Sequence, residues 1–278
     1  MDRGVKMCVG MFDSGIGGLT VLDACARLNL SCTFYYLGDN GHAPYGNRPS
    51  AEITTFVREA LDQFAELNVD AAVLACNTAT AVCADILRAE YSFPIVGMEP
   101  AVKPAAEQCE RVLVLATPRT AESDRLRALI KRFPERQFTV HAAEGLAAAV
   151  EERFLHGKPL ELSEYLPKGN FDGIVLGCTH YLFLKKEISD FYGVPVFDGA
   201  LGTAERLRFL LMKEAEKRGE VKNPKNIGIN DHSRHDKNPN NCFSQNQNKR
   251  GNFEVFFLGN YKNPNKYLFE REFLLKKS

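Results

Sequence analysis

The sequence predicts an α/β protein built as two pseudo-symmetric, doubly wound lobes, with mainly parallel sheets and the active site in the cleft between them. Three observations point there. Short apolar runs alternate with amphipathic stretches, the signature of parallel strands joined by helices. The runs are continuous rather than alternating, as strands covered on both faces must be. They also fall into two sets, and 278 residues are enough for two cores of ordinary size.

The first set comprises Lys6 to Phe12, Thr33 to Leu37, Ala71 to Ala75 and Pro94 to Gly97. The second comprises Arg111 to Ala116, Phe138 to Ala142, Gly173 to Leu176 and Pro195 to Phe197. Between them, Ala51 to Leu67 carries Ile53, Phe56, Val57, Ala60, Leu61 and Phe64 at the spacing of one helix face. The sets divide near Gly97-Met98-Glu99-Pro100, and Asp198 to Gly202 offers a second crossing. The expected first lobe is therefore residues 1–98 plus about 203–278, and the second 99–202. A helix from Thr203 to Lys217 begins the return. Residues 219–252, rich in Asn and poor in large apolar side chains, read as a flexible insertion. Phe253 to Leu258 reads as a last strand and Tyr267 to Leu275 as a terminal helix.

Lys+Arg and Asp+Glu both number 35, a formal net charge of +0, so no global field favours nucleic acid or an anionic membrane. No segment approaches the roughly 20 apolar residues that span a bilayer, and the N-terminus lacks a secretory pattern. The expectation is a cytoplasmic enzyme that neither enters membranes nor binds nucleic acid. Cysteines stand at 8, 25, 32, 76, 83, 109, 178 and 242. They form no C-x-x-C pair, so no structural metal is expected, and most should be small buried hydrophobes.

In open parallel sheets ligands sit at the carboxyl ends of strands. After the first strand comes Asp13-Ser14-Gly15-Ile16-Gly17-Gly18-Leu19-Thr20, whose glycines and following helix offer N–H groups to an anion or simply make a capped turn. After the second comes Gly38-Asp39-Asn40, then Pro44-Tyr45-Gly46, a ligand-facing loop or a surface turn. After the third, Cys76 precedes Asn77-Thr78-Ala79 at a helix start, a place that lowers a thiol from about 8.5 toward neutrality. The second lobe repeats the pattern: Gly177-Cys178-Thr179-His180-Tyr181 follows a strand, with His180 placed to tune the thiol or carry a proton. One thiol per lobe gives two acid/base groups on opposite sides of a substrate. That is the requirement for removing a proton from one face of a carbon and returning one to the other.

These segments, Phe12 to Val21, Pro44-Tyr45-Gly46, Ala75 to Ala79 and Gly177 to Tyr181, resemble the glutamate racemases of the aspartate/glutamate racemase superfamily, over roughly residues 7 to 210. The resemblance implies a racemase that interconverts L- and D-glutamate without pyridoxal phosphate, metal or other cofactor, and supplies D-glutamate for peptidoglycan. It implies that Cys76 takes the proton from D-glutamate and Cys178 from L-glutamate, assisted by Asp13 and His180. Ser14, Pro44, Tyr45, Gly46, Asn77, Thr78 and Thr179 match substrate-binding positions, with Asp13 and His180 among them. Thr117 and Thr120 match threonines that face the substrate. Glu151 matches an acidic residue ahead of the second cysteine, with Glu152 its adjacent competitor. A homodimer is implied. The sequence departs from the family pattern at Leu182, where the family usually has Pro, in the alanine-rich Ala143 to Ala149, and at Gly259-Asn260-Tyr261.

Three rival readings remain open. The first is another isomerase on the same fold, aspartate racemase above all, since one methylene shifts binding by only about 1–3 kcal/mol. A hydrolase using a Cys–His pair, or zinc held by Cys76, Cys178 and His180, is the second. The third is a non-catalytic binding or regulatory protein.

Overall fold

The structure is a computed structural model that describes residues 7–28, 30, 32–218 and 254–258. The strands are β1 (Met7–Asp13), β2 (Cys32–Gly38), β3 (Ala71–Leu74), β4 (Ile95–Gly97), β5 (Arg111–Ala116), β6 (Gln137–Ala142), β7 (Gly173–Gly177), β8 (Val196–Phe197) and β9 (Glu254–Leu258). The helices are α1 (Leu19–Arg27), α2 (Ser50–Glu66), α3 (Asn77–Glu90), α4 (Val102–Ala106), α5 (Pro118–Ala121), α6 (Asp124–Ile130), α7 (Leu146–His156), α8 (Lys185–Tyr192) and α9 (Ala200–Lys217). One sheet runs β4-β3-β1-β2-β9 and the other β6-β5-β7-β8. Every pairing is parallel, so the α/β class read from the apolar runs holds. The expectations for residues 219–252, for Tyr267 to Leu275 and for Gly259-Asn260-Tyr261 lie outside the described residues.

Strand parity builds the layers. Along β1, Met7, Val9 and Met11 turn to one face with α1 and α9, while Phe12 turns to the other with α2 and α3. Along β3, Ala71 and Val73 join the first face, and Ala72 and Leu74 the second. The second sheet does the same: Leu113, Leu115, Ile174 and Leu176 face α7 and α8, and Val112, Val114 and Val175 face α4 and α6. Because side chains alternate with a period of two, Cys76 continues the Ala72–Leu74 face and Cys178 the Ile174–Leu176 face. Both thiols thus leave their strands at a fixed side.

β6 departs from the expected run of buried strands. It is an edge strand of its sheet with Gln137, Thr139, Val140 and Ala142 exposed, so it pairs on one side only. Leu182, in the position where the resemblance leads one to expect Pro, packs against the cores of both lobes. Ala143 and Ala147, from the alanine-rich segment, are buried, and the Ala143 carbonyl accepts the Tyr181 hydroxyl at 3.1 Å.

The chain passes to the second sheet after β4 and comes back after β8. The two connections lie against each other: a Cβ on Gly199 would meet the Glu99 carbonyl oxygen at 2.1 Å. α9 then packs its Ala204, Leu207 and Leu211 into the first lobe's core, and β9 adds to β2, Thr33 facing Glu254.

Gly10 sits in the middle of the central strand, where a Cβ would meet the Phe64 ring at 2.4 Å. Gly10→Ala is expected to destabilise the fold by about 1–3 kcal/mol through overpacking, read as a lower urea midpoint with an unchanged slope.

Candidate active site

The carboxyl ends of both sheets meet, and the side chains there belong to both lobes. Asp13 ends β1 and is fully buried. Its Oδ1 accepts the Gly15 N–H at 2.9 Å, and its Oδ2 accepts the Thr179 hydroxyl of the other lobe at 3.0 Å. Ser14 follows, and its hydroxyl oxygen accepts the Cys76 thiol at 3.4 Å. Cys76 caps α3, its sulfur accepting the Ala79 N–H at 3.5 Å. Thr78, the second residue of α3, shares hydrogen bonds with Thr117 at 2.9 Å and Thr120 at 3.3 Å. Those two threonines open α5 in the second lobe.

On the opposite side, Cys178 precedes a 3-10 turn, Thr179–Leu184, and makes no capping bond. Its sulfur lies 3.8 Å from His180 Nδ1. His180 Nε2 lies 2.7 Å from Glu151 Oε1. That same oxygen accepts the Ile16 N–H across the lobes at 3.0 Å, and Glu151 Oε2 accepts from Asn40 Nδ2 at 3.3 Å. Glu151 is therefore the acidic residue turned to the site. Glu152 pairs outward with Lys158.

Two expectations change. The segment after Asp13 carries two expectations, N–H groups offered to an anion or simply a capped turn. The Ile16 N–H instead holds the protein's own Glu151 carboxylate, and the Gly15 N–H holds Asp13. The glycines also serve close approach. A Cβ on Gly15 would meet Glu151 Oε1 at 2.0 Å, and one on Gly17 would meet Thr179 Oγ1 at 2.3 Å.

The second change concerns the thiol of Cys76. A helix start was expected to lower it toward neutrality. Burial instead drives it from 9.0 to about 11, and the Asp13 carboxylate adds to the rise; the bonds to Ser14 and Ala79 pull back, and Cys178 adds a small push. Desolvation of a charge outweighs the partial charges of one helix end. Burial likewise carries Asp13 from 3.8 to about 6, against the pull of His180 and its two hydrogen bonds. His180 moves in the opposite sense to burial. Desolvation opposes the imidazolium, but the bonds and charges of Cys178 and Glu151 together raise it well above 6.5. As an imidazolium, it donates from both nitrogens.

The remaining expected residues gather around this centre. Tyr45 and Gly46, on a short 3-10 turn, are buried rather than part of a surface loop. The Tyr45 hydroxyl donates to Asp39 at 2.5 Å, and a Cβ on Gly46 would touch Thr117. Pro44 stands before that turn, exposed, after a cis peptide bond. Asn77 donates to the Met98 carbonyl, while its Oδ1 is buried without a donor. Cys83 is a buried thiol bonded to the Ala79 carbonyl, as expected of a packing residue. Sequence reasoning did not single out Asn40, the Ile16 N–H, or Tyr36, whose hydroxyl fixes the Gly15 carbonyl at 2.8 Å. Their only sequence signal was a place at or near a strand end. Among the described residues, no three His, Cys, Asp or Glu side chains are gathered as a metal ion would need, the trio of Cys76, Cys178 and His180 included.

The junction thus holds a pair of buried thiols, one per lobe, each with its own polar partners. Residues 24–207 match the Asp/Glu/Hydantoin racemase family, and the chain belongs to that family: it is an isomerase, an amino-acid racemase. It is 37% identical to the glutamate racemase of Clostridium novyi over 78% of this chain and 90% of that one. It is 39% identical to the glutamate racemase of Clostridium kluyveri over 74% and 84%. Among solved structures, Escherichia coli glutamate racemase in complex with L-glutamate and the activator UDP-MurNAc-Ala superposes with a TM-score of 0.67. It shares 33% identity over 74% of this chain and 83% of that one.

The Asp13 shift fixes a pH dependence. Its folded value, about 6, lies above 3.8, so its protonated form stabilises the fold below about pH 4. That contribution is lost as pH rises through 6 and amounts to roughly 3 kcal/mol. Asp13→Asn is expected to gain stability relative to wild type by about that amount between pH 4 and pH 8, measured by urea unfolding at each pH. A constant difference would contradict it.

Proposed function

We propose that this protein interconverts L- and D-glutamate by two-thiol proton transfer, with Cys76 and Cys178 on opposite sides of the α-carbon. The observation that carries the reading is the pair of buried thiols at the tips of β3 and β7, each with its own proton partners. The glutamate racemase identity of the relatives supports the choice of substrate. Aspartate racemase remains the second reading, because a single methylene is a weak discriminator.

One thiolate takes the α-hydrogen as a proton, leaving the electron pair on the α-carbon. The opposite thiol then donates its proton to the other face. The net change is inversion, with no electron transfer. The two sides differ in their resting partners. Cys76 is a thiol donating to Ser14, held protonated by burial and by Asp13, which suits the acid. Cys178 faces the His180 imidazolium, which hands protons between the sulfur and Glu151 and so suits the base. This arrangement fits a resting enzyme set to take the proton of L-glutamate at Cys178. Asp13 and the His180–Glu151 pair are the assisting groups.

Ser14, Thr78, Thr117, Thr120 and Thr179, buried hydroxyls at the junction of the lobes, supply donors for the two carboxylates of glutamate, with N–H groups of the Pro44-Tyr45-Gly46 turn beside them. Asn77 Oδ1, buried and undonated, suits the substrate ammonium. With both thiols buried, substrate enters when the lobes part and reacts when they close, which excludes water. We further propose a cytoplasmic homodimer that acts without cofactor and supplies D-glutamate for peptidoglycan. Among the described residues no helix is long and apolar enough to cross a membrane.

The test is solvent-deuterium incorporation into each enantiomer of glutamate and of aspartate, without added cofactor. Wild type is expected to label glutamate at the α-carbon. Cys76→Ala and Cys178→Ala should each lose racemization by about 10²–10⁴-fold. Full racemization by either variant overturns the two-thiol mechanism, and turnover of aspartate alone overturns the substrate.

A further inference from the structure

Glu151 is carried by α7 of the second lobe, yet the Ile16 N–H and Asn40 Nδ2 that donate to its carboxylate come from the first. Oε1 accepts the Ile16 N–H at 3.0 Å as well as facing His180 Nε2 at 2.7 Å. Oε2 accepts from Asn40 Nδ2 at 3.3 Å. Asn40 follows the tip of β2 by two residues, and its own Oδ1 is buried without a donor. That orphaned oxygen reveals which end of the amide matters. Turning the amide over would set Oδ1 against the carboxylate and repel it, so the ionised Glu151 fixes the NH2 end inward. Leaving the oxygen unpaired is unfavourable, and the bond to a charged acceptor offsets it.

We propose that Asn40 is a positioning residue for the Cys178 side of the site: reaching across from the first lobe, it holds the outer oxygen of Glu151. The carboxylate is then aimed at His180 only when the lobes are closed. The inference rests on the racemase reading for its kinetic consequence, but not for its structural core. An unrestrained Glu151 could rotate away from Nε2, and the imidazolium that faces Cys178 would lose its counter-charge. Cys76 has none of these contacts. Its partners are Ser14 and Ala79, so the effect is confined to one thiol. Closure thereby couples to chemistry: the proton relay on one side is completed by an atom from the other lobe.

The experiment compares wild type, Asn40→Ala and Asn40→Asp in the full chain, with thermal melts to verify folding. Two readouts are taken: glutamate racemization kinetics, and the alkylation rate of each cysteine by iodoacetamide across pH, resolved by peptide mass spectrometry. Asn40→Ala is expected to lower kcat roughly tenfold, the scale of one hydrogen bond to a charge, with KM within about twofold. Alkylation of Cys178 at pH 7 should slow by about the same factor, because the sulfur loses its aligned His180 partner, while Cys76 stays within about twofold. Asn40→Asp should be worse in both readouts, since it sets a second carboxylate against Glu151.

Equal changes at both cysteines would mark general loosening and overturn the proposal, as would wild-type kcat with a wild-type Cys178 profile. If wild type itself does not racemize glutamate, the functional reading fails. The selective slowing at Cys178 still decides the role of Asn40.

Discussion

Glu151 takes a hydrogen bond from Ile16 in one lobe and faces His180 in the other, in a mostly buried place. A carboxylate there is costly unless its lone pairs are filled, and the fold fills them from both sides. The constraint propagates outward. Gly15 must lack a side chain because Glu151 occupies that space. Tyr36 fixes the Gly15 carbonyl, which keeps the backbone turned toward the carboxylate. His180, charged against burial by Glu151 and Cys178, then has one nitrogen left for the thiol. Removing the carboxylate would leave a buried cation unpaired.

The junction of the lobes is correspondingly polar where it is also buried. Asp13 with Thr179, and Thr78 with Thr117 and Thr120, cross it by hydrogen bonds between neutral hydroxyls and one raised carboxyl. Such groups can be exchanged for water or for a substrate carboxylate at modest net cost. A wholly apolar junction would hold the lobes shut. Charged bonds nearer the surface, Arg125 to Asp85 and Asn47 to Glu144, lie in wetter surroundings and contribute little to closure. The junction is thus firm around its titrating groups and exchangeable around its hydroxyls.

The two thiols share a position but not an environment. Cys76 caps a long helix and still rises to about 11, which shows burial outweighing a helix end. Cys178 heads a 3-10 turn and relies on a histidine two residues on. The two surroundings are therefore unlike: a hydroxyl and a backbone N–H at one sulfur, an imidazole at the other.

Much of this was legible in the sequence. Continuous apolar runs joined by amphipathic stretches implied parallel sheets, because a strand covered on both faces has no polar side to show. Period-two alternation from Leu74 to Cys76 and from Leu176 to Cys178 set the side on which each thiol leaves its strand. Asp13, Thr78, Thr179 and His180 stood out as polar residues at strand tips, while Thr117 and Thr120 came only from the family resemblance. The turn of Glu151 toward His180 and of Glu152 toward Lys158, the reach of Asn40 to Glu151, the use of the Gly15 and Ile16 N–H groups for internal carboxylates and the raised Cys76 thiol come only from tertiary structure. Each depends on atoms from the opposite lobe or on the depth of burial. Neither distance across a cleft nor exclusion of water has a local sequence pattern. The sequence by itself determined which residues arrive at the ends of the strands; the packing of one lobe on the other decided what each of them meets there.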